Sequence, residues 1–269
     1  MFYASIMVAV DLGQHARDRI RLAGHLADDF HAGLIGVAAE MPAYEAVPVG
    51  PTFGGGYCMA SVQEAVLTEL KSARAVFDEA THGRSRVEWR SNLDFPLAFL
   101  TRQAAAADLV VVGRGDDGNP LMTVDPGDAV MQLGRPVLVV PPDIDHLDAQ
   151  RVAIGWKNTR EARRAVRDAL PFLKRASHVV VLSIDDGSGA ADTQAVVCLL
   201  QAHDVHATAV RKDAYGPGTA EALVDAASEQ AADLIVTGGY GHGRLREWAF
   251  GGVTRDLLAG CPVCCLMSH

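Results

Sequence analysis

Eight residues near the end of the sequence have the types and the spacing of an anion-binding loop. A run of glycines follows an apolar segment typical of a buried strand, and a second glycine pair opens a segment typical of a helix. The eight residues are Gly238, Gly241, His242, Gly243, Gly251, Gly252, Val253 and Thr254. Glycine lets backbone N–H groups approach a ligand closely, and a helix N-terminus adds partial positive charge, so these segments could hold phosphates. An ordinary turn and helix cap would use glycine in the same way.

A second group of candidate residues follows an earlier apolar segment of the same half. Trp156 and Lys157 end that segment, and Arg160 begins an arginine-rich helix. Because ligands of open parallel sheets bind outside the carboxyl ends of the strands, Lys157 and Arg160 could assist with an anion. In the alternative interpretation the arginines form a solvated helix face, and Trp156 packs in the core instead of stacking on a ring.

These candidate residues need a fold that brings strand ends together, and an internal repeat indicates one. Residues 106–113 (AADLVVVG) recur as residues 231–238 (AADLIVTG), and residues 134–140 recur as residues 260–266. We therefore divide the chain into two copies of one domain, at 1–147 and 148–269. In each copy apolar strands alternate with helices, which we expect over 61–80, 96–107 and 219–231 among others. This alternation predicts an α/β fold whose parallel sheet is covered on both faces.

Composition and charge argue against several classes of protein. The 269 residues are 49% hydrophobic and 21% charged, so the chain can bury a core, and its apolar runs are too short for a membrane helix. The net charge of −9 argues against a nucleic-acid or anionic-membrane surface. The first copy has 11 basic and 19 acidic residues, whereas the second has 13 and 14, which favours the second as the host of an anion. Five cysteines without an export signal indicate reduced thiols and a cytoplasmic location.

Two further motifs are less specific. Gly113 begins a G-x-G-x-x-G stretch, but it follows the fourth strand of its copy, and Pro120 comes too soon for the helix that a dinucleotide site requires. Cys261 and Cys264 spell C-x-x-C on the final strand, where the adjacent Cys264 and Cys265 point to opposite faces. We therefore predict buried structural thiols. No catalytic constellation and no metal site rises above chance, so we name no catalytic residue.

The spacing of the glycines carries a family resemblance. Gly238-x2-Gly241-x9-Gly251, followed by Gly252, resembles the G-2x-G-9x-G-(S/T) loop of the universal stress protein family, and the whole chain resembles its tandem two-domain members. The resemblance implies two tandem open-sheet domains, each a five-stranded parallel sheet with helices on both faces, of the adenine-nucleotide alpha-hydrolase-like, Rossmann-like type. It also implies a role in stress response and ATP with Mg²⁺ as a ligand.

The same resemblance implies how the domains assemble. Domains of this family pair through the edge of the final strand, so the two copies would form an internal pseudo-dimer with residues 137–140 beside residues 263–266. Two chains could also form a homodimer.

Both copies depart from the family pattern. Gly252 replaces the family's Ser or Thr, although Thr254 could supply the hydroxyl, and Lys157 stands where the family has an Asp that contacts adenine. The first copy keeps that Asp as Asp11, but the loop after Gly113 has acquired acidic residues that would repel a triphosphate. These are Asp116, Asp125 and Asp128. We expect a nucleotide mainly in the second copy, with Asp11 and Gly113 as secondary candidates.

Three functions are open at this stage. The first is a cytoplasmic stress-response module that binds an adenine nucleotide in its second domain. The second is an interaction protein of the same fold whose glycine loops are relics of a nucleotide-binding ancestor. The third is a slow ATPase.

Overall fold

A computed structural model describes residues 2–42, 55–115, 118–185, 193–213, 218–240 and 252–269 of the chain. Strands and helices alternate along it. The strands are β1 (Ser5–Ala9), β2 (Gly33–Ala39), β3 (Val87–Asn92), β4 (Leu109–Gly113), β5 (Val137–Val140), β6 (Arg151–Gly155), β7 (His178–Asp185), β8 (Ala207–Asp213), β9 (Leu234–Gly238) and β10 (Cys264–Ser268). The helices are α1 (Ala16–Phe30), α2 (Gly55–Ala80), α3 (Pro96–Gln103), α4 (Pro126–Gln132), α5 (Arg160–Asp168), α6 (Leu170–Leu173), α7 (Gln194–Ala202), α8 (Thr219–Glu229) and α9 (Gly252–Gly260), and a 3-10 helix spans Ala104–Ala106. Within the described ranges, no helix has both the length and the apolar composition that crossing a bilayer requires.

All of these strands belong to one sheet, in the order β3-β2-β1-β4-β5-β10-β9-β6-β7-β8. Within each half, five strands pair in parallel. The strand order reverses beside the first strand of each half, since β1 lies between β2 and β4, and β6 lies between β7 and β9. The carboxyl ends of these central strands therefore form the crevices in which open sheets bind ligands.

The final strands of the two halves join them. β5 and β10 pair antiparallel, with Val137 opposite Met267 and Val139 opposite Cys265. These are the strands that the resemblance places side by side, and β10 runs two residues further than the segment 263–266 named from the sequence. The pairing leaves neither final strand as an exposed sheet edge, which removes two sites at which a sheet could pair with another chain.

An aromatic cluster adds a second contact between the halves. The Tyr3 ring lies 5.1 Å from the Phe30 ring and 5.6 Å from the Phe172 ring, in edge-to-face arrangements. The Tyr3 hydroxyl donates a hydrogen bond of 2.6 Å to the Asp168 carbonyl oxygen of the second half. Buried aromatic pairs of this geometry stabilise a junction by about 0.5–1.5 kcal/mol each beyond the area they bury.

Two apolar layers cover the faces of the sheet. One layer holds buried side chains of α1, α2, α5, α6 and α7, and the other holds those of α3, α4, α8 and α9. Successive residues Val111 and Val112 of β4 lie in different layers, because side chains alternate along a strand. At Gly36 of β2, a Cβ atom would lie 2.6 Å from the Phe77 ring, so glycine lets α2 pack closely on the strand.

Strands β3 and β8 are not apparent from the amino-acid sequence. Both are outer strands of the sheet and carry charged residues such as Arg90 in place of an apolar run, because an edge strand is half exposed to water. The helix predicted over 61–80 begins earlier, at Gly55. The helices predicted over 96–107 and 219–231 begin where expected but end earlier, at Gln103 and Glu229.

Candidate functional site

A cavity of about 210 Å³ lies at the carboxyl ends of β6, β7 and β9 in the second half. Its position is the crevice where the strand order reverses. The described residues that line it are Gly155, Trp156, Lys157, Thr159, Ala162, Leu182, Ile184, Thr219, Leu223, Thr237, Gly238, Gly252, Val253 and Thr254. The cavity therefore brings the strand-end pair Trp156 and Lys157 together with the first turn of α9.

In the part of its lining that the structure describes, the cavity combines apolar side chains with a single charge. Leu182, Ile184 and Leu223 contribute the larger aliphatic groups, and several threonines contribute hydroxyls. Among the described residues that line the cavity, Lys157 is the only charged one. A cavity of this composition suits a ligand that has an apolar or flat part and an anionic group.

Trp156 and Lys157 are positioned by the end of β6 and the start of α5. The Trp156 N–H donates to the Leu182 carbonyl oxygen at 2.8 Å, which continues the strand pairing by one residue. The Lys157 carbonyl oxygen accepts from the Thr159 N–H at 2.6 Å, and the Thr159 hydroxyl caps α5 by accepting from the Ala162 N–H at 3.2 Å. Trp156 is 8% exposed and packs in the core, so it contributes to the cavity as a buried wall.

Gly238 has a packing role that its place in the glycine spacing does not reveal. A Cβ atom there would lie 2.5 Å from the Ala162 backbone nitrogen and 2.7 Å from the Glu161 carbonyl carbon. Real Cβ atoms do not approach backbone this closely, so glycine is what lets α5 pass the end of β9. This close approach also brings the start of α5 to the cavity.

The first turn of α9 forms another wall. Gly252, Val253 and Thr254 all line the cavity. The Thr254 side chain is buried, and its hydroxyl accepts a hydrogen bond of 3.2 Å from the Tyr240 N–H, which links the end of β9 to the helix. The other predicted loop residues lie outside the described residues: Gly241, His242, Gly243 and Gly251.

The structure does not bring Arg160 to this cavity. Its guanidinium pairs with the adjacent Glu161 carboxylate, and 76% of its side chain is exposed. The expectation that Arg160 assists Lys157 with an anion stays a prediction. The exposure of Arg160 agrees with the solvated helix face that the sequence analysis left as the alternative.

In the first half, an arginine fills the corresponding crevice. The Arg19 Nη2 atom of α1 lies 2.8 Å from the Asp11 Oδ2 atom, and the Arg19 Nε–H donates to the Ala9 carbonyl oxygen at 3.1 Å. A Cβ atom on Gly113 would overlap this guanidinium, and only about 20 Å³ of cavity remains. Asp11 and Gly113 therefore do lie together, but an internal cation lies between them and takes the place of a ligand.

The second half has an alanine at the matching place. Arg19 and Ala165 each lie ten residues after the end of the first strand of their half, and both are buried on the helix that follows. Alanine is too short to reach the strand ends as Arg19 does, and Ala165 is not among the described residues that line the cavity of about 210 Å³. The sequence does contain a signal for the buried Arg19, because it stands at helical spacing among the apolar Ala16, Ile20 and Ala23.

The acidic residues of the first half serve other contacts. The Asp125 side chain caps α4 by accepting from the Asp128 N–H at 2.8 Å. Both carboxylates lie near Tyr240 of the second half, where burial, followed by these two charges, raises the pKa of the Tyr240 hydroxyl. Asp116 lies outside the described residues. In the described part of the first half, Arg19 is thus the more direct obstacle to a ligand.

The fold and the cavity together define a doubly wound α/β protein with its site at the strand ends. Residues 149–269 match the model of the universal stress protein family. This second half of the chain therefore belongs to the universal stress protein family.

Solved structures share the fold of the whole chain. A universal stress protein from Archaeoglobus fulgidus DSM 4304 is 15% identical, with a TM-score of 0.63, and the alignment covers 98% of this chain and 95% of that one. A functionally unknown protein from Pseudomonas aeruginosa PAO1 is 14% identical, with a TM-score of 0.56 and coverage of 99% and 92%. At these identities the likeness shows the fold. A comparison with curated proteins gives no match.

Proposed function

We propose that the protein is a tandem universal stress protein of the cytoplasm that binds an adenine nucleotide in the cavity of its second half and acts in a stress response. One observation carries the proposal: the crevice of the second half is open, and Lys157 and the first turn of α9 both line it. The first half takes part as a structural partner, because Arg19 fills its crevice.

The phosphates would interact with the positive groups of the cavity. The first backbone N–H groups of α9 lack partners within the helix, and the helix dipole favours an anion at this end. Lys157 adds a full positive charge. A hydrogen bond to a charged group contributes about 1.5–3 kcal/mol, which corresponds to roughly a 10- to 150-fold change in affinity.

The remaining walls indicate where the adenine base would lie and how Mg²⁺ would be held. Leu182, Ile184 and Leu223 offer an apolar surface for a flat ring. No carboxylate is found among the described residues that line the cavity, so Mg²⁺ would enter bound to the phosphates and would keep most of its water ligands.

Isothermal titration of the full chain with ATP and Mg²⁺ tests the proposal. We expect one equivalent to bind, and Lys157→Gln to weaken binding about tenfold or more by removing the charge in the cavity. Lys174→Gln is the matched control, since Lys174 is an exposed lysine that does not line the cavity. The absence of heat at sub-millimolar ATP would favour the interaction protein with relic loops. Equal affinities for both variants and the parent chain would remove Lys157 from the site.

A second substitution at Lys157 distinguishes two poses of the nucleotide. If Lys157 meets a phosphate, Lys157→Asp should weaken ATP binding further than Lys157→Gln, because a carboxylate would repel it. If the base lies against this position instead, the carboxylate could accept from the adenine amino group and binding should strengthen. The sign of the change in affinity therefore decides the orientation.

A further inference from the structure

Every exposed residue of helix α5 is an arginine. The opposite side of the helix is buried in the apolar layer on the sheet. The exposed residues, which we call the arginine row, are Arg160, Arg163, Arg164 and Arg167. They stand three and four residues apart, so each has like charges about one helical turn away, and such pairs repel. An anionic neighbour would relieve this repulsion.

Contacts inside the chain offset only part of the charge of the arginine row. The Arg160 guanidinium pairs with the Glu161 carboxylate. The Arg163 Nη1–H donates at 2.7 Å to the side-chain oxygen of Asn158, which is neutral. The first two arginines of the row thus share a single carboxylate.

The other two arginines lack an ion pair within the chain. Arg164 donates to the His269 backbone carbonyl oxygen. The charges of Arg164 and Arg167 act on the nearby Asp168, but burial is the larger influence and raises the pKa of its carboxyl. The Asp168 carboxylate accepts from the Ser268 hydroxyl at 2.8 Å, and neither arginine pairs with a carboxylate of the described ranges.

Helix α8 of the same half carries the opposite charge. Its exposed carboxylates stand four residues apart, at Glu221, Asp225 and Glu229, and we call them the carboxylate row. Glu229 pairs with Lys212 at 2.6 Å, whereas no side chain in the described part of the chain forms an ion pair with Glu221 or Asp225. The carboxylate row therefore has the one-turn spacing of the arginine row.

The two rows lie on opposite sides of the molecule. The buried residues of α5 belong to one apolar layer and those of α8 to the other, so the two helices cover opposite faces of the sheet. The arginine row therefore cannot pair with the carboxylate row of its own chain. At 1.5 Å per residue, the arginine row is about 10 Å long and the carboxylate row about 12 Å, so a neighbouring chain supplies a row of matching length.

The charge balance of the second half favours a second copy as the partner. This half has 13 basic and 14 acidic residues, so it is nearly neutral in a chain whose net charge is −9. Two second halves can approach with little net repulsion, because a screening length of about 8 Å at physiological salt shields them from the acidic first half. A long polyanion such as a nucleic acid would extend beyond the arginine row and meet that acidic half.

We propose that α5 of one chain docks against α8 of a second copy, with the arginine row opposite the carboxylate row. Arginine suits this contact because its planar guanidinium can donate two parallel hydrogen bonds to one carboxylate. The two surfaces differ, so the contact is head-to-tail, and one chain can use both surfaces at once. Exposed ion pairs are individually weak, so the association needs several of them and weakens as salt rises.

Sedimentation velocity of the full chain tests the proposal. We expect species larger than the monomer at high protein concentration, and association about tenfold weaker or less when raising the salt shortens the screening length from about 10 Å to about 3 Å. Arg163→Glu with Arg167→Glu should abolish the association. The matched control is Arg17→Glu with Arg21→Glu, since these two arginines also stand one turn apart, on α1, and their reversal changes the net charge equally. Association should persist in the control.

A mixing experiment tests the pairing of the two helices. Glu221→Arg with Asp225→Arg should also abolish self-association. Mixing this variant with the α5 variant should restore it, because one then supplies arginines on α5 and the other supplies carboxylates on α8. None of the four substituted residues lines the cavity of the second half, so this association and nucleotide binding are tested separately.

Several results would overturn the proposal. These are a parent chain that stays monomeric at every salt and protein concentration, association that the α5 substitutions leave unchanged, and mixed variants that stay apart. A monomeric parent chain that binds a polyglutamate peptide or single-stranded DNA through α5 would show that the arginine row takes a different anion. If a reversed variant does not fold, Arg163→Gln with Arg167→Gln, which only removes charge, should still weaken the association, and an unchanged affinity would refute the contact.

Discussion

The buried ion pair between Arg19 and Asp11 gives the most quantitative test of the closed first half. Its atoms lie 2.8 Å apart, and the two side chains are only 7% and 14% exposed. Removing one partner of such a pair leaves the other charge buried and costs about 3–5 kcal/mol of unfolding free energy, whereas removing both costs much less. We therefore expect Arg19→Met and Asp11→Asn each to destabilise the protein strongly, and the double variant to recover about 2–3 kcal/mol relative to the sum of the two.

Urea unfolding followed by circular dichroism provides the measurement, with free energies from linear extrapolation. The matched control is the ion pair between Arg17, which lies on α1 as Arg19 does, and Glu79 of α2; its atoms are 2.7 Å apart, but the two side chains are 43% and 63% exposed. Exposed pairs of this kind are worth about 0.2–1 kcal/mol, so the substitutions Arg17→Met and Glu79→Gln should show little coupling. If the Arg19 cycle gives a coupling energy no larger than the control, Arg19 does not hold the first crevice closed.

Two further predictions concern stability. Gly238→Ala should lower the unfolding free energy by about 1–3 kcal/mol, because the added Cβ would overlap the Ala162 backbone. Gly260→Ala is the control and should not destabilise the protein, because a Cβ there meets nothing within 4 Å. Equal urea midpoints for the two variants would contradict the close approach at Gly238. The pKa of the Glu40 carboxyl is raised, mainly by burial and further by the nearby Glu69 charge. The folded state therefore favours the protonated carboxyl, so the contribution of Glu40 to stability is present at low pH and is lost as pH rises through the raised pKa. Glu40→Gln, which resembles the protonated side chain, should therefore stabilise the protein more at pH 8 than at pH 4, and the opposite trend in the urea midpoints would refute this.

The repeat and the glycine spacing predict much of the architecture. Buried strands such as β4 and β9 consist of apolar residues that recur between the halves, so the alternation of strands and helices is visible in the sequence. The edge strands β3 and β8 are not, because half of their residues face water and break the apolar pattern. The pairing of β5 with β10 follows from the family resemblance and not from any residue pattern.

The sequence likewise predicts some residues of the candidate site and not others. Spacing identifies Gly252 and Thr254, and the place of Lys157 at a strand end identifies the cation of the cavity. Arg19 is not predicted from the sequence, because known motifs describe residues that bind a ligand and not an arginine that occupies the ligand's place.

The central claim is that the second half binds the nucleotide and that the first half, filled by its own arginine, does not. Amide hydrogen exchange of the full chain, with and without saturating ATP and Mg²⁺, tests this claim most directly because it reports on both crevices at once. We predict slower exchange at residues 155–157 and 252–254, which line the open cavity, and no change at residues 9–11, which adjoin Arg19. Slower exchange at residues 9–11, or no change in either crevice, would contradict the claim.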